Sequence, residues 1–180
     1  EGAPYGEESR RALGFAMDLG RKLGFETVVN VGDRVCYIEY GTGTKVVGVF
    51  AHLDIVPEGD GWTYPPFGGE IHNNRVYGRG TVDNKGPFIA SLYALYAIKE
   101  CGLSLGDYRI RIVGGTNEEK GMDDMKYYVS QCGAPDAGFT PDGLFPMSFT
   151  ERGINYYYMS YGFSERSTSK VRVLELHGGE

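Results

Sequence analysis

Val46-Val47-Gly48-Val49-Phe50-Ala51-His52-Leu53-Asp54 is the stretch that decides the fold. Residues 46–51 form a short, continuous apolar run rich in β-branched side chains, the pattern of a strand covered on both faces. Such a strand needs helices on each side of its sheet, and the rest of the chain supplies them. Leu13, Ala16, Met17 and Leu23 recur at helical spacing over residues 8–23, with Gly24 as the C-cap. A second helix over 86–100 carries Phe88, Leu92, Leu95 and Tyr96 in one stripe, with Pro87 in its first turn and Gly102 past its end. A third covers 122–131. Residues 35–40 and 108–113 alternate as strands, 137–139 form a short one, and 70–71 pairs with 76–77 across Asn73-Asn74 as a hairpin. The expected fold class is α/β, a mixed, largely parallel sheet flanked by helices.

Composition narrows the function classes. Of the 180 residues, 41% are hydrophobic and 23% charged, as in globular proteins that dissolve in water. Lys and Arg number 18 against 24 Asp and Glu, for a formal charge of -6. No basic run is present, which argues against a nucleic-acid partner, because phosphate contacts need clustered cations. The longest apolar stretch, 88–98, is too short to span a bilayer, and no signal peptide is visible, so no membrane partner is expected. Cys36, Cys101 and Cys132 are odd in number and lack C-x-x-C spacing, which points to small buried thiols in a reducing cytoplasm.

The chemistry-bearing residues follow strands. His52 and Asp54 follow residues 46–51, Glu118 and Glu119 follow 108–113, and Asp142 follows 137–139, while Asp83 precedes the helix at 86. Sites in open α/β sheets form beyond the carboxyl ends of the strands, so four segments bring imidazole or carboxylate to one edge. Singly, each has a plain structural explanation: a core histidine, a solvated helix start, an ordinary Asp-Gly turn. Their convergence is what points to metal. Imidazole and carboxylate suit Zn²⁺, Mn²⁺ or Co²⁺. His52 and Asp54, two apart on an extended backbone, project to one side, so the Asp54 carboxylate is expected to accept the second ring N–H of His52. Glu118 and Glu119, read as an extended strand end, point in different directions, one towards metal and one free to act as a base. Asp83 in its glycine-flanked turn is placed to bridge two ions. Gly78-Arg79-Gly80 and Gly86 do not make a phosphate loop, since Asp83 stands where a dinucleotide fingerprint needs glycine. His72 and His177 are expected at the surface.

Four motifs then coincide in order. Phe50-Ala51-His52-Leu53-Asp54-Ile55-Val56-Pro57 with Gly61-Trp62, Tyr77-Gly78-Arg79-Gly80-Thr81-Val82-Asp83-Asn84-Lys85-Gly86-Pro87, Thr116-Asn117-Glu118-Glu119, and Thr140-Pro141-Asp142-Gly143-Leu144-Phe145-Pro146 resemble the metal motifs of the M20 metallopeptidases, closest to the PepV-like dipeptidase branch. The resemblance implies a zinc-exopeptidase-like catalytic domain over 1–150 and the beginning of a lid domain over 151–180, where the residue pattern itself predicts two further strands over 154–163 and 170–176. It implies two zinc ions, with His52 and Asp142 on one, Asp83 bridging and Glu119 on the other. Glu118 is implied as the general base, Asp54 as the support of His52, and Asp83-Asn84 as a cis peptide. The implied activity is hydrolysis of dipeptides. N-acyl amino acid deacylation and a non-catalytic metal-binding module are the alternatives. Both ends of the chain read as cut, and the family's distal metal-ligating histidine has no counterpart here, so the piece by itself is expected to bind metal poorly and turn over little substrate.

Overall fold

The structure is a computed structural model and describes residues 3–143. Helix α1 (Glu7–Lys22) leads into strands β1 (Thr27–Val31), β2 (Val35–Tyr40) and β3 (Lys45–His52). A small hairpin of β4 (Glu70–His72) and β5 (Arg75–Tyr77) precedes α2 (Lys85–Glu100), β6 (Tyr108–Gly115), α3 (Asp123–Cys132) and β7 (Ala137–Phe139). The sheet has the order β1-β2-β6-β3-β7. β3 is parallel to both β6 and β7, while β2 and β1 add an antiparallel edge. This is the mixed sheet read from the sequence, with β1 as an addition. The Thr27-Val28-Val29-Asn30-Val31 run is too short, and too close to the end of α1, to stand out without its partner β2. The two strands turn through Gly32 and Asp33, both at positive φ, and Asn30 Oδ1 accepts the Asp33 backbone N–H at 2.8 Å.

Alternation of side chains builds two cores. Val49, Ala51 and Ile112 face Leu13, Ala16 and Met17 of α1 and Phe88, Leu92 and Leu95 of α2. Phe50 and Val113, one residue out of phase, face Tyr128 of α3 with Val31 and Val35. The sheet is therefore the middle of three layers. The chain leaves β3 through α2 on one face to reach β6, then returns through α3 on the other face to reach β7 beyond β3. The two crossovers run in opposite directions along the sheet, so equal handedness requires their helices on opposite faces. The carboxyl ends of β3 and β6 then flank a switch point, where α/β sheets open a crevice.

The loop between β3 and β4 is pinned to the turn before α2. Trp62 Nε1 donates to the Glu58 carbonyl at 2.8 Å, Arg79 Nη2 donates to the same carbonyl at 3.1 Å, and the Arg79 guanidinium lies over the Trp62 ring. Asn73 and Asn74 both adopt left-handed φ, as a tight two-residue hairpin demands. His72 stacks on Tyr64 and meets Glu70 at 2.8 Å. The two strands and lid expected over 151–180, and His177, lie outside the described residues.

Candidate metal centre and active site

His52 closes β3, paired in register with Gly115 of β6, and is 2% exposed. Its two ring nitrogens have different surroundings. Nδ1 lies 3.0 Å from the Asp54 backbone carbonyl and 3.4 Å from Asp54 Oδ1. A carbonyl can only accept, so Nδ1 carries the proton and Nε2 presents its lone pair. The expected support from Asp54 thus comes first through its main chain. Its carboxylate stays beside Nδ1 and also accepts the backbone N–H groups of Glu118 at 3.3 Å and Glu119 at 3.2 Å. Burial alone would raise the Asp54 pKa, but His52 and these two amides hold it below the ordinary carboxylate value.

Nε2 faces acids. Asp83 Oδ1 is 2.8 Å away, Asp142 Oδ2 3.4 Å and Glu118 Oε2 4.0 Å. His52, Asp83 and Asp142 place ligand atoms within 4.8 Å of one another, and so do His52, Glu118 and Glu119. All six residues singled out in the sequence gather at this end of β3. A lone pair turned on two or three carboxylates is repulsive unless a positive charge lies between them. Without metal that charge is a proton: burial disfavours the imidazolium, yet Asp54 and Asp83 outweigh it and push His52 up to about 9. The donor set of one imidazole and several carboxylates fits a divalent cation in the proton's place.

Local sequence explains each placement. Asp83 sits in a turn closed by Lys85 N–H on the Gly80 carbonyl at 2.9 Å and by Thr81 Oγ1 on the Gly78 carbonyl at 2.9 Å. Gly80 there has φ 87°. The Asp83-Asn84 peptide is cis. Asn84 is fully buried and donates from Nδ2 to the Pro141 carbonyl at 3.4 Å, tying the Asp83 turn to the Asp142 loop.

Glu118 and Glu119 differ from expectation. They occupy a 3-10 turn (Glu118–Lys120), not an extended strand end, so alternation does not separate them, and both carboxylates reach the neighbourhood of His52. The turn forms because the chain must leave the sheet at Gly115, and Asp54 receives both of their amides. Burial raises the Glu118 pKa, and Glu119, Asp142 and Asp54 add to the rise against the pull of His52. Sequence reading passed over Asp124, which is fully buried and accepts the backbone N–H groups of Thr116 and Asn117. The signal was there: Asp124 and Tyr128, four apart on α3, share its inward face.

The sequence profile of peptidase family M20/M25/M40 matches residues 48–162. The chain belongs to this family. Among relatives, YtjP of Bacillus subtilis (strain 168) is 42% identical over 153 residues, covering 85% of this chain and 33% of that protein. The Beta-Ala-Xaa dipeptidase of Lactobacillus delbrueckii subsp. lactis is 34% identical over 173 residues, covering 96% and 36%. Human carnosine dipeptidase 1 superposes with a TM-score of 0.63 at 25% identity, over 76% of this chain and 33% of that one. The M20 family metallo-carboxypeptidase Sso-CP2 of Sulfolobus solfataricus, at 24% identity and a TM-score of 0.60, shares the fold. This M20 chain therefore spans about a third of the length of the curated relatives it matches. Among the described residues, no helix is long and apolar enough to cross a membrane.

Proposed function

We propose that the whole protein of which this chain forms part is a dizinc dipeptidase. The observation that carries the reading is the His52 ring, with Nδ1 engaged by the Asp54 carbonyl and Nε2 turned on Asp83 and Asp142. His52 and Asp142 would hold one ion, Asp83 would bridge, and Glu119 would hold the second. Two zinc ions so bound would supply Lewis acidity for the scissile carbonyl and would lower the pKa of the attacking water. Glu118 would take a proton from the attacking water and later deliver it to the leaving amine, completing hydrolysis to two amino acids. The dipeptidase names of the Lactobacillus and human proteins support dipeptides as the substrate class. A reducing compartment, as in the cytoplasm, suits the three unpaired thiols.

The test uses the whole protein, purified with metal, against dipeptides and N-acetyl amino acids in parallel. Dipeptides should be hydrolysed far faster, and the reverse preference would make the protein a deacylase. Glu118→Gln should retain both ions by elemental analysis while kcat falls about 10²–10⁴-fold. Native turnover in that variant would remove Glu118 from the base role.

A further inference from the structure

Four consecutive backbone N–H groups carry the acids of the site, and two carboxylates receive all four. Asp54, from the end of β3, takes Glu118 and Glu119. Asp124, from the first turn of α3, takes Thr116 at 2.7 Å and Asn117 at 3.0 Å through Oδ2, and its Oδ1 accepts the Met125 N–H at 2.8 Å. Asp124 is 0% exposed, with no cation bonded to it among the described residues, an unusual burial for a carboxylate unless its oxygens are fully engaged by donors. The fold makes room for it: a Cβ on Gly115 would stand 2.4 Å from Asp124 Oδ2. The turn is further tied to the start of α3 and to the turn between β1 and β2. The Asn117 carbonyl accepts Met122 N–H at 2.8 Å, Asn117 Oδ1 accepts Asp123 N–H at 3.3 Å, and Thr116 Oγ1 donates to the Arg34 carbonyl at 2.7 Å.

We infer that Asp124 is a positioning residue for catalysis, anchoring the 116–119 turn from the α3 side so that Glu118 and Glu119 stand over His52. It touches neither substrate nor metal and acts through the backbone of the turn. The inference rests on the dipeptidase reading for its catalytic consequence, though not for its structural one. Charge-assisted bonds to backbone N–H are short and strong, and two of them fix the segment before the Glu pair as Asp54 fixes the pair itself. Supporting groups of this kind are typically worth 10–100-fold in metal affinity or rate.

Asp124→Asn keeps the shape but turns an amide NH₂ either on the Met125 N–H or on the Thr116 and Asn117 pair. In the whole protein it should lower kcat and the affinity for the second ion at least about tenfold, with KM within about twofold. Amide exchange gives a readout independent of turnover. Glu118 and Glu119, bonded to Asp54 and not to Asp124, should lose protection in the variant, because the turn moves as a unit. Asp136→Ala removes an exposed carboxylate-to-backbone bond, to Val46 N–H at 2.8 Å, at the far end of β3, and should lower Tm alone. If Asp124→Asn fails to fold, Gly115→Ala, whose Cβ would crowd both the Asp124 carboxylate and Met125, is read by amide exchange at Glu118 and Glu119. Loss of Tm with native kcat, native metal content and unchanged exchange at Glu118 and Glu119 overturns the positioning role. An inactive native protein would instead sink the dipeptidase reading, and the exchange result would still decide the role of Asp124.

Discussion

At the scale of single residues, the chemistry begins with how His52 is held. A free imidazole presents either nitrogen, but the Asp54 carbonyl takes one ring N–H and commits the other nitrogen to the acids. Asp54 does two things at once, since its carboxylate also holds the Glu118 and Glu119 amides. Asp54→Ala should therefore weaken metal binding about 10–100-fold even though Asp54 is not assigned as a ligand, as measured by titration with a competing chelator. A thiol prediction belongs at the same scale. Burial pushes Cys36 up to about 12, so at pH 8 it remains a neutral thiol, and the thiolate is the nucleophile. Iodoacetamide should label exposed Cys101 and spare Cys36 in the native protein, with peptide mass spectrometry as the check. Rapid labelling of both would contradict the burial.

At the scale of elements, the site depends on how helices begin beside the strand ends. Helix α2 starts so close to the Asp83 turn that a Cβ on Gly86 would meet the Thr81 carbonyl oxygen, 2.1 Å away. Gly86→Ala must push that turn aside, so metal affinity should drop more than tenfold with far-UV circular dichroism little changed. The opposite face of α2 is pure packing. Leu92 is 0% exposed among α1 and sheet residues, and Leu92→Ala should cost about 2–5 kcal/mol in urea unfolding. Helix periodicity exposes such residues in sequence, which is why α1, α2 and α3 were legible almost to their ends. The 3-10 turn at Glu118 was not, because nothing in Thr116-Asn117-Glu118-Glu119 itself says that acids from β3 and α3 will claim its amides.

For the molecule as a whole, a centre assembled from β3, the turn before α2, the loop after β6 and the loop after β7 exists only when the sheet is formed. Metal binding is then linked to folding. Zinc at a hundredfold excess over its Kd should add about 2.7 kcal/mol of stability per independent site, seen as a rise in Tm that EDTA abolishes. No rise in the whole protein would count against the metal centre. The interior also holds an ion pair far from the site. Arg111 on β6 meets Glu39 of β2 at 2.6 Å and donates to the Tyr128 hydroxyl of α3 at 2.8 Å, joining both strands to the third layer.

The amino-acid sequence alone determined the helices, most strands and the identity of the metal-type residues, because apolar periodicity and local turn chemistry are written in neighbouring positions. It also placed His52, Asp83, Glu118, Glu119 and Asp142 in motifs whose order implies the family. Tertiary structure decided which atoms meet. That the Asp54 carbonyl takes the His52 N–H, that Glu118 and Glu119 share a turn, and that a buried Asp124 holds this turn all depend on contacts between segments distant in the chain. Such contacts come from register between strands and from crossovers that carry α2 and α3 to opposite faces, neither of which any short stretch of sequence encodes.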